Sequence, residues 1–324
     1  MSTYVLCLTH SGDYFTIDRV MEALDRYGKR PVRIDTDRFP TSLRIALQPE
    51  LGASRIFLPD GRVINAGQIG AVWLRKIFPP KFDEDLEPKF RDGCMRESAE
   101  AFRGMLDLLA SKPWIDPLRT IERCESKAEQ LRLAKSVGLS VPPTLISNDQ
   151  DEVRAFYEAQ GGAVVTKMLT PLTVSMGKPD MFVYTSPVSP QDLDHLDDLR
   201  FSPMVFQKRI PKAYELRAIY VDGELFLGKI EATSADKAPI DWRHPNAHQS
   251  SWQRGELPED VKRKLIALMD GLGLVFGALD IIKTPDNDYV FLEVNPRGEW
   301  GMLEMQLDLA ISDAIARAIT KRMT

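Results

Sequence analysis

Three observations predict a mixed fold, an α/β layer followed by α+β segments. The chain opens on a strand, a polar loop, a helix and a second strand, the order of an open α/β layer. Its second half carries paired strand runs closed by turn residues, at Asp222-Gly223 and at Pro285-Asp286-Asn287-Asp288. A length of 324 residues allows two or three domains, and 44% apolar with 27% charged residues describes a chain that folds.

Taken in order, Tyr4–Leu8 is a short apolar strand that runs into the polar loop Thr9–Asp13. Ile17, Val20, Met21 and Leu24 follow at helical spacing, and Val32–Ile34 is the next strand. The first loop lacks GxGxxG, so no dinucleotide site is expected. Leu43–Leu47 and Ile56–Ile64 read as strands, the second folded at Pro59-Asp60-Gly61. Ala71–Leu74 is another strand, ending in Arg75 and Lys76. From Asp85 to Ala110 the stripe Met95, Ala99, Phe102, Met105, Leu106 and Leu109 predicts a long amphipathic helix. A boundary near Lys112–Pro117 closes a first domain, residues 1–118.

The second domain, 119–202, starts with a helix capped by Ser126, running to about Val137 and stopped by Gly138. Thr144–Ile146 is extended after Pro142-Pro143, and Asn148 or Asp149 caps a helix that ends at Gly161-Gly162. Ala163–Met168 has the β-branched content of a strand, and Ser186–Pro203 connects onward around one short helix. In the third domain, 203–324, strands are predicted at Met204–Gln207, Leu216–Val221 and Leu225–Ile230. A helix over Val261–Leu272 leads to strands Val275–Lys283 and Tyr289–Val294, and a last helix spans Leu303–Ile319.

The charge balance, 42 Lys and Arg against 47 Asp and Glu for a net −5, lacks the basic field of a nucleic-acid binder. Cys7, Cys94 and Cys124 form no CxxC pair and no secreted framework, which fits a reducing compartment. No window approaches the ~18 apolar residues of a membrane span. A cytoplasmic protein with no membrane partner is expected. His10, His195, His244 and His248 lie near no nucleophile or zinc signature.

The most informative stretch is Gly277–Pro296. A two-residue turn at Asp286-Asn287 pairs Pro285 with Asp288 and, five steps on, Asp280 with Glu293. Asn295 shares their face because strand side chains alternate. Two carboxylates and an amide oxygen form a hard-oxygen cluster whose charges repel unless a cation sits between them. Leu279, Ile281, Leu292 and Val294 then point to the opposite, buried face. The alternative is a solvated acidic rim, which the apolar remainder of both strands argues against. Lys167, inside the apolar run AVVTKM, either meets an anion or snorkels at an edge. Arg217 suits phosphate or carboxylate recognition, or an ordinary cross-strand ion pair. Lys127 opens a helix whose N-terminus itself attracts anions, though solvated helix lysines are common.

The ordered set Lys127, Lys167, Phe206–Ile210, Glu215-Leu216-Arg217, Asp280 and Glu293-Val294-Asn295-Pro296 resembles the ATP-grasp ligase superfamily over about residues 120–300. Asp35–Pro40, Val72–Lys76, Ile210–Arg217, Asp241-Trp242-Arg243 and Asn295–Trp300 extend the likeness to the microviridin-type graspetide ligases across nearly the whole chain. The resemblance implies an ATP-grasp fold behind an N-terminal α/β pre-ATP-grasp domain. It implies ATP and Mg²⁺ as cofactors and a ribosomal precursor peptide, leader plus core, as partner. A homodimer is also expected.

By the same resemblance Lys127 and Lys167 reach the phosphates, the backbone of Gln207, Lys208, Arg209 and Ile210 meets adenine, and Glu215 holds the ribose. Asp280, Glu293 and Asn295 hold Mg²⁺, while Arg217 and Arg243 stabilise the γ-phosphate and an acyl phosphate. The loop Thr170–Gly177 departs from the family's Gly-rich flap, with a single glycine and Thr173 or Ser175 as polar alternatives. The implied activity is closure of ω-ester or ω-amide rings between side chains of one peptide. The alternatives are an ATP-grasp ligase that adds amino acids to a protein tail, and a non-catalytic nucleotide-binding module.

Overall fold

The structure, a computed structural model, describes residues 3–169, 185–231 and 251–323. Arg243, with Asp241-Trp242, and the loop Thr170–Gly177 lie outside the described residues.

The first part contains β1 (Tyr4–Thr9), α1 (Thr16–Arg26), β2 (Arg30–Asp35), β3 (Arg44–Gln48), β4 (Ala53–Phe57), β5 (Val63–Asn65), β6 (Ile69–Leu74), α2 (Pro88–Leu108) and β7 (Trp114–Ile115). Strands β2-β1-β6-β7 form a parallel sheet, and β3-β4-β5 a small antiparallel one. Helix α2 starts at Pro88 instead of Asp85, because proline is favoured in a first helical turn that needs no N–H partner. Its buried stripe runs through Ser98, Phe102, Met105 and Leu106, and Ala99 is exposed. Ser98 lies one turn before Phe102 and so shares its face, whatever its polarity. The predicted boundary at Lys112–Pro117 contains β7, a strand of two residues, too short to show a period in sequence.

Next come α3 (Leu118–Cys124), α4 (Lys127–Ser136), β8 (Thr144–Ser147), α5 (Gln150–Ala159), β9 (Val164–Lys167), β10 (Ser186–Pro187), a 3₁₀ run over Pro190–Phe201, and β11 (Met204–Lys208). Ser126 caps α4 by accepting from Glu129 N, and Asp149 caps α5 by accepting from Asp151 N and Glu152 N. The antiparallel sheet β10-β9-β11-β8 buries Val164 and Phe206 against Val153, Leu196 and Leu199.

The last part contains β12 (Tyr214–Val221), β13 (Glu224–Glu231), β14 (Gln253–Arg254), α6 (Glu259–Leu272), β15 (Phe276–Lys283), β16 (Tyr289–Asn295), α7 (Gly301–Leu307) and α8 (Ile311–Arg322). The predicted single helix over Leu303–Ile319 is two helices. Asp308 turns into the left-handed region at φ 49°, and the Glu304 carboxylate accepts from Ser312 N at 2.6 Å, capping the second helix.

The antiparallel sheet β14-β13-β12-β15-β16 has two faces of different character. On one, Leu216, Ala218, Tyr220, Leu279, Ile281, Phe291 and Val294 pack on Ala134 of α4 and Leu265, Leu268 and Leu272 of α6. On the other, Ile219, Val221, Phe276 and Ala278 join Trp300 and Ile315 and, from the first part of the chain, Cys7, Ile17, Leu24 and Trp73. Cys7 and Cys124 are buried free thiols, and Cys94 is half-buried. No helix among the described residues is long and apolar enough to cross a membrane.

Candidate active site

The second face of that sheet turns polar along its strands: after Val221 and Ile219 come Arg217 and Glu215, and after Phe276 and Ala278 comes Asp280. Register then lines up Arg217 of β12, Asp280 of β15 and Glu293 of β16 in one row across three strands. The pairing of Asp280 with Glu293 is the one expected from sequence, but the route to it differs. The loop is Pro285–Asn287, closed by Thr284 N donating to Asp288 O at 2.9 Å, with Asn287 at φ 72°. That three-residue loop pairs Lys283 with Tyr289 and Ile281 with Phe291, one step out of the expected register. A bulge at Leu292 then restores the step, so Asp280 faces Glu293. Phe291, not Leu292, joins Val294 on the buried face.

Around this row the predicted lysines converge. Lys127, the first residue of α4, donates to Glu293 Oε2 at 2.5 Å, and Lys167, the last of β9, lies 3.6 Å from the same oxygen. Burial pushes the Lys167 ammonium below the usual lysine range; Glu293 opposes the shift and Lys127 adds to it. Arg217, 5% exposed, donates from Nη1 to both oxygens of Asp280, at 2.8 and 2.9 Å. The cross-strand ion pair foreseen as an alternative for Arg217 is therefore made, and its partner is the predicted metal ligand. Asn295 is exposed, and its Oδ1 accepts from Arg297 N at 3.0 Å. Among the described residues no three His, Cys, Asp or Glu side chains gather as a metal site. The hard-oxygen set is two carboxylates and an amide.

The residues expected to meet adenine and ribose lie where β11 leads into β12. Gln207 is buried and donates through Nε2 to Thr144 Oγ1 at 2.9 Å, so its side chain is tied to its cross-strand neighbour on β8. Lys208 N and Arg209 N donate to Pro143 O and Ala163 O, at 2.9 and 2.8 Å, which commits two backbone donors of the stretch. The side chains of Lys208 and Arg209 are exposed and Ile210 is half-buried. Glu215, on the face of Arg217, forms an ion pair with Lys212.

Two contributions escaped the sequence reading. Gln130, 2% exposed, donates from Nε2 to Val294 O at 2.8 Å and accepts on Oε1 from Val294 N at 3.0 Å. A side-chain amide thus pairs the outer edge of β16 beside Glu293 and ties it to the helix of Lys127. The signal was a lone Gln one turn before Ala134 on the buried stripe of α4. The second is the part played by the loop Asn295–Trp300, which with Val72–Lys76 carried the resemblance but had no role assigned beyond Asn295. Arg75, 3% exposed at the end of β6, donates from Nη1 to Arg297 O at 3.1 Å and from Nη2 to Glu299 Oε2 at 2.5 Å. Lys76 also pairs with Glu299, and Arg297 with Glu125. Burial raises the Glu299 carboxyl, but Arg75 and Lys76 outweigh it and hold the group below the usual carboxylate range.

A helix-flanked sheet that carries the carboxylate row, and the sheet β10-β9-β11-β8 whose Lys167 reaches that row, define the class: an ATP-grasp ligase. Residues 4–122 match the family described as the MvdD pre-ATP-grasp domain. The macrocyclase MdnC of Microcystis aeruginosa MRC, solved with its precursor peptide MdnA, is 36% identical, with 98% of this chain and 100% of that chain covered and a TM-score of 0.88. MdnB of the same organism is 43% identical over 98% of this chain and 99% of that one, with a TM-score of 0.83. A Chryseobacterium gregarium RiPP-associated ATP-grasp ligase, solved with ADP and a leader and core peptide, is 28% identical over 98% and 97%, with a TM-score of 0.90. No curated protein sequence matches the chain. The chain belongs to the graspetide ligases, the ATP-grasp macrocyclases of ribosomal peptides.

Proposed function

We propose that this protein activates Asp and Glu side-chain carboxylates of a ribosomally made precursor peptide as acyl phosphates at the expense of ATP. Thr or Ser hydroxyls, or a Lys amine, of the same peptide then close ω-ester or ω-amide rings. The observation that carries the reading is the Arg217–Asp280–Glu293 row with Lys127 and Lys167 turned onto it. Residues 1–118, 119–202 and 203–324 are its three domains, and a homodimer in the cytoplasm is part of the reading.

Asp280, Glu293 and Asn295 fit Mg²⁺, since they present carboxylate and amide oxygens beside one another. Bound there, Mg²⁺ would neutralise charge on the phosphate oxygens. Lys127 and Lys167 now neutralise Glu293, and in the loaded site they turn to the phosphates, as Arg217 and Arg243 do to the γ-phosphate and the acyl phosphate. The backbone of Gln207–Ile210 meets adenine and Glu215 holds the ribose hydroxyls. The peptide carboxylate attacks the γ-phosphorus and ADP leaves; the hydroxyl or amine then attacks the acyl carbon and phosphate leaves. Little covalent work falls to the protein, whose side chains hold charge and exclude water.

Mass spectrometry tests this with the protein, ATP, Mg²⁺ and a candidate precursor peptide rich in Thr, Asp and Glu. Each ring lowers the peptide mass by one water. Asp280→Ala and Glu293→Ala remove the product and keep the fold; either variant cyclising at the parent rate would overturn the metal assignment. Addition of amino acids without water loss would favour the tail-extending ligase.

A further inference from the structure

The loop Asn295–Trp300 joins two parts of the molecule that share no strand pairing. From the parallel sheet, Arg75 holds the Arg297 carbonyl and the Glu299 carboxylate, and Lys76 holds Glu299 as well. Asp13 stands 3.9 Å from Arg75 Nε, beyond hydrogen-bond distance, and accepts from Thr9 and Thr16, so it places a negative charge behind the guanidinium. From the other sheet, Arg217 donates through Nη2 to the Glu299 carbonyl at 3.2 Å while Nη1 holds Asp280. Gly298 brings the loop so close that a Cβ there would lie 2.7 Å from Arg217 Nη2. One residue, Glu299, therefore has its side chain fastened by Arg75 and its peptide oxygen fastening Arg217.

We infer that Arg75 is a positioning residue for Arg217, acting through Glu299: it fixes the carbonyl that sets the rotation of the phosphate-side guanidinium. The inference rests on the proposed role of Arg217. A guanidinium holds two acceptors in a rigid fork, and the ammonium of lysine does not. Arg75→Lys keeps the charge and frees the loop. Glu299 then drifts, Arg217 Nη2 loses its acceptor, and a displacement of the order of an ångström at a charge-stabilising group slows chemistry without weakening nucleotide binding.

The test is a double-mutant cycle on the full chain, with ATP, Mg²⁺ and a precursor peptide that the parent protein cyclises. Arg75→Lys is expected to lower kcat by about tenfold to a hundredfold and to leave KM for ATP within about twofold. In an Arg217→Lys background the same change is expected to cost nothing further. Calorimetry with ADP and Mg²⁺ should return parent affinity in Arg75→Lys. Without any nucleotide, the ¹⁵N side-chain resonance of Arg217, identified by its loss in Arg217→Lys, should move in Arg75→Lys.

A parent kcat in Arg75→Lys, losses that multiply in the double variant, or an unmoved Arg217 resonance would each overturn the inference. Arg217→Lys running at the parent rate would instead remove the role of Arg217 itself. Should circular dichroism show Arg75→Lys unfolded, Glu299→Gln, at a side chain 56% exposed, carries the same cycle with the same outcomes.

Discussion

Two glycines show how one residue type serves a site and a turn by different means. Gly298 lies against Ala278 and Arg217, so an added methyl meets occupied space beside the carboxylate row. Gly223, at φ +95° in the β12–β13 turn, has nothing within 4 Å of a built Cβ, so only backbone strain opposes a side chain there. Gly298→Ala is expected to cost about 1–3 kcal/mol of stability by overpacking and to slow ring closure by about tenfold or more through the displaced Arg217. Gly223→Ala is expected to cost about 1 kcal/mol and leave the rate alone. Urea unfolding and initial rates on the two variants separate the effects; equal rates in both would contradict the close approach at Gly298.

At the scale of elements, β16 is the end strand of its sheet, yet its outer edge is not left to water. Ser140 O accepts from Phe291 N at 2.9 Å, and the Gln130 amide pairs both polar groups of Val294. Main-chain groups left unpaired in a buried setting are costly. Gln130→Leu fills the space and removes both bonds, so it should destabilise the protein by about 1–3 kcal/mol in chemical denaturation. An unchanged midpoint would show that the edge finds other partners. The same amide sets how α4 lies on β16, and through that the approach of Lys127 to Glu293.

Across the whole molecule, Asp116 joins the first sheet to the last. It follows β7, is 2% exposed, and accepts from Val275 N at 2.9 Å and Phe276 N at 3.0 Å at the start of β15. Burial pushes its carboxyl up to about 6, the two amide donors opposing. Between about pH 4 and pH 6 the folded chain keeps a proton there that the unfolded chain has released, so this group's contribution to stability falls as pH rises. Relative to Asp116→Asn, the parent should lose up to about 3 kcal/mol on going from pH 4 to pH 7. A pH-independent difference in urea unfolding between the two proteins would refute the shift.

Local pattern determined much of this protein by itself. The strand, helix and turn residues, the caps at Ser126 and Asp149, and the facing of Asp280 and Glu293 all depend on neighbours a few positions away, where periodicity and turn chemistry act. Even so, the hairpin register came from a longer loop plus a bulge, because a one-residue excess in the turn can be absorbed by Leu292 without changing which faces are apolar. What only the tertiary structure decided is long-range: Ser98 rather than Ala99 under α2, the break at Asp308, Gln130 on the edge of β16, and Arg75 reaching 222 positions along the chain to the loop beside Arg217. Polar groups buried at such junctions answer to whichever donor or acceptor packing brings near, and sequence separation carries no trace of that meeting.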